Sequence, residues 1–441
     1  MCGICGIVRW REEDSVDDLR DVLAMRRRLV HRGPDDTGVL TEGRATLGAT
    51  RLAIRGGCHG RQPVHDRASG VTVVCNGEID NHEELRRWLA GRGRRLSGAS
   101  DVALIPPLYL ELGEKFVDAL VGSFALAVWD PRRGTVHLAR DRAGERPLFF
   151  MSDPMKFIFS TETRALAELT GRREPPEGEA VSEYLRVGYG GHRRVLVPNV
   201  RKVPPAHILK FDGEGGESRR YWRWHPGRAP SPDSGLETCD RLFRAAVHRQ
   251  SRCDAPFGIF LSGGVDSSLV AAVARSLYPA RRLNAYTLRF HEPSYDEGTE
   301  AADVARRLGL GMEEVWVRPE MIPGTLRSLI RRSGIPLADP AWVPTALLAR
   351  RAAEDVKMVL VGEGGDEVFG GYPTYLGSVV ADRYARLPRA VRAGVEAVVR
   401  RLPASDRKVT LSYLCKRFID GAELDPLSRH RRWVSVVPET L

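Results

Sequence analysis

Two glycines, three serines and an aspartate are packed into Leu261-Ser262-Gly263-Gly264-Val265-Asp266-Ser267-Ser268. An apolar run ends at Leu261 and a helical pattern starts near Ser268, so the string reads as a strand-to-helix turn. Backbone N–H groups converge on anions at such turns. Gly263 and Gly264 lack Cβ, which lets a phosphate approach the main chain closely. Ser262, Ser267 and Ser268 add hydroxyl donors, and Asp266 offers a hard oxygen ligand suited to magnesium. No lysine follows the glycines, which excludes the G-x-x-x-x-G-K-[ST] phosphate loop. A glycine-rich turn without a ligand is the plainer alternative, and the Ser-Gly-Gly-x-Asp-Ser order in this context argues against it.

A second glycine-acid cluster runs from Gly362 to Tyr372 and holds Glu363, Asp366 and Glu367 directly after a predicted strand. It reads either as a solvated acidic turn or as carboxylates placed for magnesium and proton handling beside a phosphate. At the other end of the chain, Cys2 lies between Met1 and Gly3, a context in which an aminopeptidase removes the methionine. The cysteine left behind carries its own α-amine, with an ordinary pKa near ~8, as base to its own thiol. Cys2 and Cys5 also form C-x-x-C, but no second such pair and no matching Cys/His pair accompanies them, which disfavours zinc.

Further strings accompany Cys2 in order: His31-Arg32-Gly33-Pro34-Asp35-Asp36, Arg51-Leu52-Ala53-Ile54, Gln62-Pro63, Asn76-Gly77-Glu78-Ile79-Asp80-Asn81-His82, Ser100-Asp101 and Ala139-Arg140-Asp141-Arg142-Ala143-Gly144. With Cys2 these resemble the class II glutamine amidotransferase domain, an N-terminal-nucleophile hydrolase. The Ser262 loop resembles that of the PP-loop ATP pyrophosphatases. Together with the Gly362 cluster, Pro336-Leu337-Ala338-Asp339 and Pro344-Thr345, it is similar to the synthetase half of the glutamine-hydrolysing asparagine synthetases.

The resemblance implies a function and a set of roles. Aspartate, ATP and glutamine would give asparagine, AMP, pyrophosphate and glutamate, through a Cys2 thioester and an acyl-adenylate. Cys2 would be the nucleophile, with Asn76 and Gly77 as the oxyanion hole. Arg51, Glu78 and Asp101 would bind the α-groups of glutamine. Leu261, Ser262, Gly263, Gly264, Asp266, Ser267, Ser268, Leu288, Val361 and Gly362 would bind ATP. Asp266 and Asp366 would hold Mg2+, and Glu363 would act as general base. Two rival readings are amidation of another carboxylate in secondary metabolism, and a truncated protein with glutaminase but no synthetase activity. A tRNA-modifying PP-loop enzyme is a third, for which the Cys2 set has no use.

The sequence also departs from the family pattern. Asp80 replaces an aromatic residue, Val361 stands where a serine is common, and Arg289 occupies a usually small position. The family's later R-x-P-F-L-D string and its lysine in a G-K-x-x-L-R context do not occur. The synthetase half is therefore expected to be incomplete at its C-terminus, with weak or absent aspartate-dependent turnover.

Two kinds of element must position these residues. Short runs at Leu47–Ile54, Val71–Ile79, Phe124–Trp129, Val136–Ala139, Leu148–Met151 and Phe157–Phe159 read as grouped strands. Helical patterns cover Asp18–Leu29, with Leu19, Val22, Leu23, Met25 and Leu29 on one side, and Asn81–Leu89. From Pro256 onward strands alternate with helices: Pro256–Leu261, Ser268–Tyr278, Ala285–Phe290, Ala301–Leu308 and Lys357–Val361. That rhythm predicts a parallel sheet. The arginine-rich tail is helical in character, with a last strand signal at Trp433–Val437.

The expected architecture is an α+β hydrolase of stacked sheets flanked by helices at 1–211, a linker at 212–235 rich in Gly, Pro, Ser and Arg, and an α/β PP-loop domain at 236–441.

The chain has 441 residues, ample for two domains. Its +10 net charge suggests an anionic partner, but only 7 of its 67 basic residues are lysines and the arginines are spread through every segment. Without interleaved aromatics they argue for compositional bias and against nucleic acid. Seven scattered cysteines fit reduced thiols, and no apolar run approaches a membrane span. A cytoplasmic protein is expected, with small-molecule substrates and no membrane partner; a homodimer is one assembly left open.

Overall fold

The computed structural model describes residues 1–11, 16–94, 96, 98–170, 175–191, 195–225, 232–403, 407–408 and 410–437. The chain divides into two compact units. The first comprises Met1–Val181, Gly190–Pro256 and Ser328–Pro336, and the second Ser182–Tyr189, Phe257–Arg327 and Leu337–Leu441.

In the first unit the elements run β1 (Gly3–Arg9), α1 (Val16–Arg28), β2 (Asp36–Glu42), β3 (Ala45–Arg51), β4 (Val64–His65), β5 (Thr72–Ile79), α2 (His82–Ala90) and α3 (Ile105–Leu112). They continue with β6 (Gly122–Asp130), β7 (Thr135–Arg140), β8 (Phe149–Ser152), β9 (Lys156–Ser160), α4 (Thr163–Thr170) and α5 (Gly178–Val187), the last spanning both units. Strands β10 (Arg201–Lys202), β11 (His207–Phe211) and β12 (Gly216–Arg220) precede α6 (Pro232–Ser251).

Among the described residues these strands form two six-stranded antiparallel sheets, β10-β8-β9-β1-β3-β2 and β12-β11-β7-β6-β5-β4. Alternation sorts their side chains into layers. Ile4 and Val8 of β1 join Leu47, Val74, Ala125, Ala127 and Trp129 in one core between the sheets. Cys5 and Ile7 face outward onto Val22, Met25 and Leu29 of α1. On the far side, Val73, Cys75, Leu126 and Val128 meet Leu108 and Tyr109 of α3. Helix, sheet, sheet and helix thus stack, as expected for the hydrolase. Leu19 of α1, expected on the apolar face, is 39% exposed.

Part of the stretch 212–235 belongs to this unit. The Asp212 carboxylate accepts from the backbone N–H groups of Glu214 and Gly215, closing a hairpin turn. This turn pairs β12 with β11, and α6 begins at Pro232. Residues 226–231 of the expected linker lie outside the described residues.

The second unit contains β13 (Phe257–Phe260), α7 (Val265–Leu277), β14 (Asn284–Arg289), α8 (Gly298–Leu308), β15 (Gly311–Trp316), the first part of α9 (Met321–Ser333), whose residues from Ser328 on belong to the first unit, α10 (Trp342–Ala352) and β16 (Met358–Leu360). Helices α11 (Gly365–Phe369), α12 (Pro373–Tyr384), α13 (Arg389–Arg400), α14 (Leu411–Ile419) and α15 (Pro426–Val434) follow. The sheet is parallel, in the order β15-β14-β13-β16. From β13 the chain moves outward through β14 and β15, then returns to place β16 on the other side of β13. Order reverses between β13 and β16, and ligands of open α/β sheets bind beyond the strand ends at such a reversal.

The strand expected at Trp433–Val437 is not formed. Pro426 starts a helix there, and the Asp425 carboxylate caps it by accepting from the N–H groups of Leu427 and Ser428, both at 3.1 Å. Trp433 is buried on that helix against Ala381 and Ala422.

Candidate active site

The pairing of Gly3 with Thr50 brings the residue before β1 alongside the end of β3. Cys2 sits there, 8% exposed, its thiol 3.9 Å from the Leu52 carbonyl oxygen. Burial pushes the thiol pKa up. Cys5 points to the opposite face, where its thiol approaches the carbonyls of Val22 and Gly48, so the C-x-x-C pair does not converge.

Arg32 holds the Cys2 backbone from the side, and His31 shares its carboxylate partner. The Arg32 Nε donates to the Cys2 carbonyl at 3.1 Å while its Nη1 donates to Glu162 at 2.8 Å. His31 Nε2 is 2.9 Å from the same carboxylate. Burial opposes ionisation of Glu162, but the His31 and Arg32 bonds outweigh it and hold the carboxyl below its usual range.

Strand β5 supplies the opposite wall, and its parity decides what it offers. It pairs with β6 along its whole length, whereas β4 covers only Thr72 and Val73 on the other edge. Beyond β4, the odd-numbered N–H groups project from that edge. The Cys75 N–H donates to the Gln62 side chain at 2.6 Å, and the Ile79 N–H to the Asp101 carboxylate at 2.7 Å. Between them, by the same parity, the Gly77 N–H projects to that edge, and among the described residues neither strand nor side chain takes it. Gly77 has φ +142°, and a Cβ there would collide with the Ser123 carbonyl oxygen of β6, so the position requires glycine. Asn76 is fully buried on the same face as Val74, and neither end of its side-chain amide has a partner. Buried amides are normally satisfied, so the missing partner points to a ligand.

Arg51 is 6% exposed and fixed by its neighbours, with Nη1 donating to the Gly57 carbonyl at 2.6 Å and Nη2 to the Arg55 carbonyl at 2.7 Å. Burial, then the nearby Asp101, raises Glu78 to about 8, against the pull of Arg55. The Cys2 thiol feels both Glu78 and Arg51. The structure therefore gathers Cys2, Arg51, Asn76, Gly77, Glu78 and Asp101: a thiol, two kinds of amide donor, one cation and two carboxylates.

Three contributors are absent from the motifs. Glu162 is 130 residues from its Arg32 partner, and Arg55 lies just past the Arg51 string. Arg146 brings a buried Nε without a partner and acts electrostatically on Glu78. Only the partial apolar setting of Arg55 could have drawn attention in the sequence.

In the second unit the two glycine loops leave the adjacent strands β13 and β16. The Leu261 N–H donates to the Tyr286 carbonyl at 3.0 Å, which anchors the first loop to β14. The Ser262 and Ser267 hydroxyls lie 3.0 Å apart, and the Gly264 N–H donates to Ser262 Oγ. Gly263 has φ +81° and lies against α8, where a Cβ would come within 2.7 Å of the Ala301 backbone N. The second loop packs on the first. A Cβ on Gly362 would lie 2.8 Å from the Ser267 N, and one on Gly365 would collide with the Asp266 carboxylate. Asp266 thus stands between the loops, and the Ser268 hydroxyl is buried without a partner. Leu288 lies on β14, while Val361 and Glu363 are exposed at the end of β16. Asp366 opens α11 with its carboxylate against Gly371.

These residues fit magnesium of the kind carried by a nucleotide. Among the described residues no cluster of three or more His, Cys, Asp or Glu side chains could hold a metal by itself. Magnesium commonly takes one or two carboxylates and completes its shell from phosphates and water. Arg289 does not enter this space. Its guanidinium binds Asp296 at 3.0 Å and Glu314 at 2.6 Å, with its carbon 4.9 Å from the Trp316 ring centre.

Residues 1–222 match the family model described as a glutamine amidotransferase domain, and residues 238–436 match that described as asparagine synthase. The glutamine-hydrolyzing asparagine synthetase 1 of Bacillus subtilis (strain 168) is 28% identical over 433 residues, covering 96% of this chain and 68% of that protein. The asparagine synthetase of Sandersonia aurantiaca is 31% identical, covering 84% of this chain and 67% of its own. That of Asparagus officinalis is 33% identical, covering 84% of this chain and 60% of its own. The chain thus spans between 60% and 68% of the length of these three relatives.

Proposed function

The chain belongs to the glutamine-hydrolysing asparagine synthetase family, and from that premise we propose that it releases ammonia from glutamine at Cys2 and uses it to amidate aspartate activated by ATP. The observation that carries the first half is the open Gly77 N–H beside the unpartnered Asn76 amide, on the strand whose Glu78 acts electrostatically on the buried Cys2 thiol.

The Cys2 sulfur attacks the side-chain amide carbon of glutamine. Negative charge moves to the oxygen, which accepts from the Gly77 N–H and Asn76 Nδ2. The C–N bond breaks, ammonia leaves with the proton taken from the thiol, and water hydrolyses the γ-glutamyl thioester to glutamate. Burial lowers the Met1 α-amine to about 6. With Met1 removed, the α-amine of Cys2 itself is the base that accepts the thiol proton. Arg51 takes the α-carboxylate of glutamine, and Glu78 and Asp101 take its ammonium.

In the second unit the loop Leu261–Ser268 cradles the phosphates of ATP, with backbone near Leu288 and Val361–Gly362 at the adenosine end. Asp266 and Asp366 hold magnesium, which supplies neutralising charge to the phosphates. The aspartate carboxylate attacks the α-phosphorus, pyrophosphate leaves, and ammonia then displaces AMP. Glu363 stands at the exposed end of β16 as the base for that ammonia.

Glutamate release from glutamine, compared between the wild type and Cys2→Ala, tests the first half. The wild type is expected to turn over and the variant to be inactive; a wild type without glutaminase activity refutes the assignment. Aspartate-dependent pyrophosphate release with ammonia supplied tests the second half. If another carboxylate supports release and aspartate does not, the acceptor is wrong.

A further inference from the structure

Asp80, the residue that departs from the family's aromatic, has a specific partner. Arg55 Nη2 donates to Asp80 Oδ1 at 3.1 Å, and Arg55 Nε lies 3.3 Å from Glu78 Oε2. Both side chains of the pair are nearly buried, Arg55 at 8% and Asp80 at 10% exposure. Glu78 near the end of β5 and Asp80 just beyond it are two residues apart, so one guanidinium serves two carboxylates. The contact with Glu78 is ionic only, because Glu78 Oε2 is buried and accepts no hydrogen bond. That oxygen keeps its acceptor capacity for a cationic ligand.

The guanidinium is held from behind. Its Nε donates to the Arg252 carbonyl at 2.7 Å and its Nη2 to the Arg249 carbonyl at 2.8 Å, at the C-terminal end of α6. Helix ends leave such carbonyls without intrahelical partners, and a cation there is favoured. Asp254 reinforces the join, accepting from the Gly56 N–H at 2.8 Å while its own N–H donates to the Ile54 carbonyl. Arg55 therefore cannot follow Glu78 if that side chain moves.

We propose that Arg55 and Asp80 form an opposed positioning pair that sets how strongly Glu78 holds the ammonium group of the amino-acid substrate. The inference rests on the glutaminase reading. An ammonium bound at Glu78 requires the carboxylate. Arg55 favours that form, whereas Asp80 competes for the same guanidinium and adds like charge. Of the other groups around Glu78, Asp101 also disfavours ionisation, and Arg146 favours it. The Cys2 and Cys75 thiols and the terminal amine complete the near set, with Arg249 acting on Asp80. None of this touches the scissile amide.

Neutralising the two members should have opposite effects, which a purely structural contact would not produce. In Arg55→Gln the pH at which the KM for glutamine falls should move up by about one unit, raising KM roughly tenfold at neutral pH with kcat little changed. In Asp80→Asn it should move down by about one unit. Arg55→Lys keeps the charge and should recover most of the affinity, which controls for misfolding in the Gln variant. The experiment is the pH profile of KM and kcat for glutaminase in these four proteins. Shifts of the same sign, or none, in active enzymes overturn the pair while leaving the glutaminase reading intact. A wild type that releases no glutamate overturns both.

Discussion

A fully buried asparagine with both ends of its amide unbonded costs roughly 1–3 kcal/mol for each unsatisfied group. Asn76 bears that cost. Replacing it with alanine should leave the fold equally or more stable while lowering glutaminase kcat by about 10²–10³-fold, measured by glutamate release beside thermal melting. Glu78 is a second case of function set against stability. Its pKa rises from the ordinary 4.5 to about 8 through burial first and Asp101 second. The folded chain therefore holds a proton that the unfolded chain has released, and this contribution to stability falls as pH rises from about 4.5 through about 8. Glu78→Gln removes the loss, so its melting temperature should exceed that of the wild type by more at pH 8.5 than at pH 5. The residues proposed as nucleophile, oxyanion donors and α-group ligands stood out in the sequence because each lies in a contiguous string. Arg55 did not, since its meaning lies in Asp80, 25 positions away, and in two carbonyls nearly 200 positions away.

Elements were legible where burial made them apolar. Strands β5, β6 and β7 are almost wholly buried and read as apolar runs. Strands β2 and β15 sit at sheet edges with half-exposed polar residues, so neither left a pattern. The tail misled because Trp433 to Val437 resembles a strand, whereas Asp425 and Pro426 upstream start a helix that takes in Trp433 and Val434, and 435–437 follow it outside any strand. The two glycines of the phosphate turn separate at this scale. Gly263 has a positive φ and meets the α8 backbone, so Gly263→Ala should destabilise the second unit by about 1–3 kcal/mol in denaturant melts. Gly264 has φ −67° and its added Cβ would meet only the Ser262 hydroxyl at 3.3 Å. Gly264→Ala should therefore fold normally yet weaken ATP binding, as read by nucleotide titration.

For the whole molecule, the two units have separate cores and separate candidate ligands. Calorimetry should resolve two transitions, one raised by glutamine in Cys2→Ala and the other by ATP with magnesium, each in proportion to ligand saturation. A single transition moved equally by either ligand would count against independent units. The arginine excess also has a structural side. Arg32, Arg51 and Arg429 place planar forks on backbone carbonyls or carboxylates, a geometry that lysine cannot supply. Charge that hints at a polyanion in the sequence is spent partly on internal carbonyls. The edge of β5 carries one more consequence. Exposed strand edges recruit strands from other molecules, which is how many β proteins aggregate. Here Gln62 and Asp101 occupy the amides on either side of Gly77, so only one remains open. A single open amide can receive an oxyanion but cannot template an added strand, and the geometry proposed to admit substrate also keeps neighbouring chains from joining the sheet at this edge.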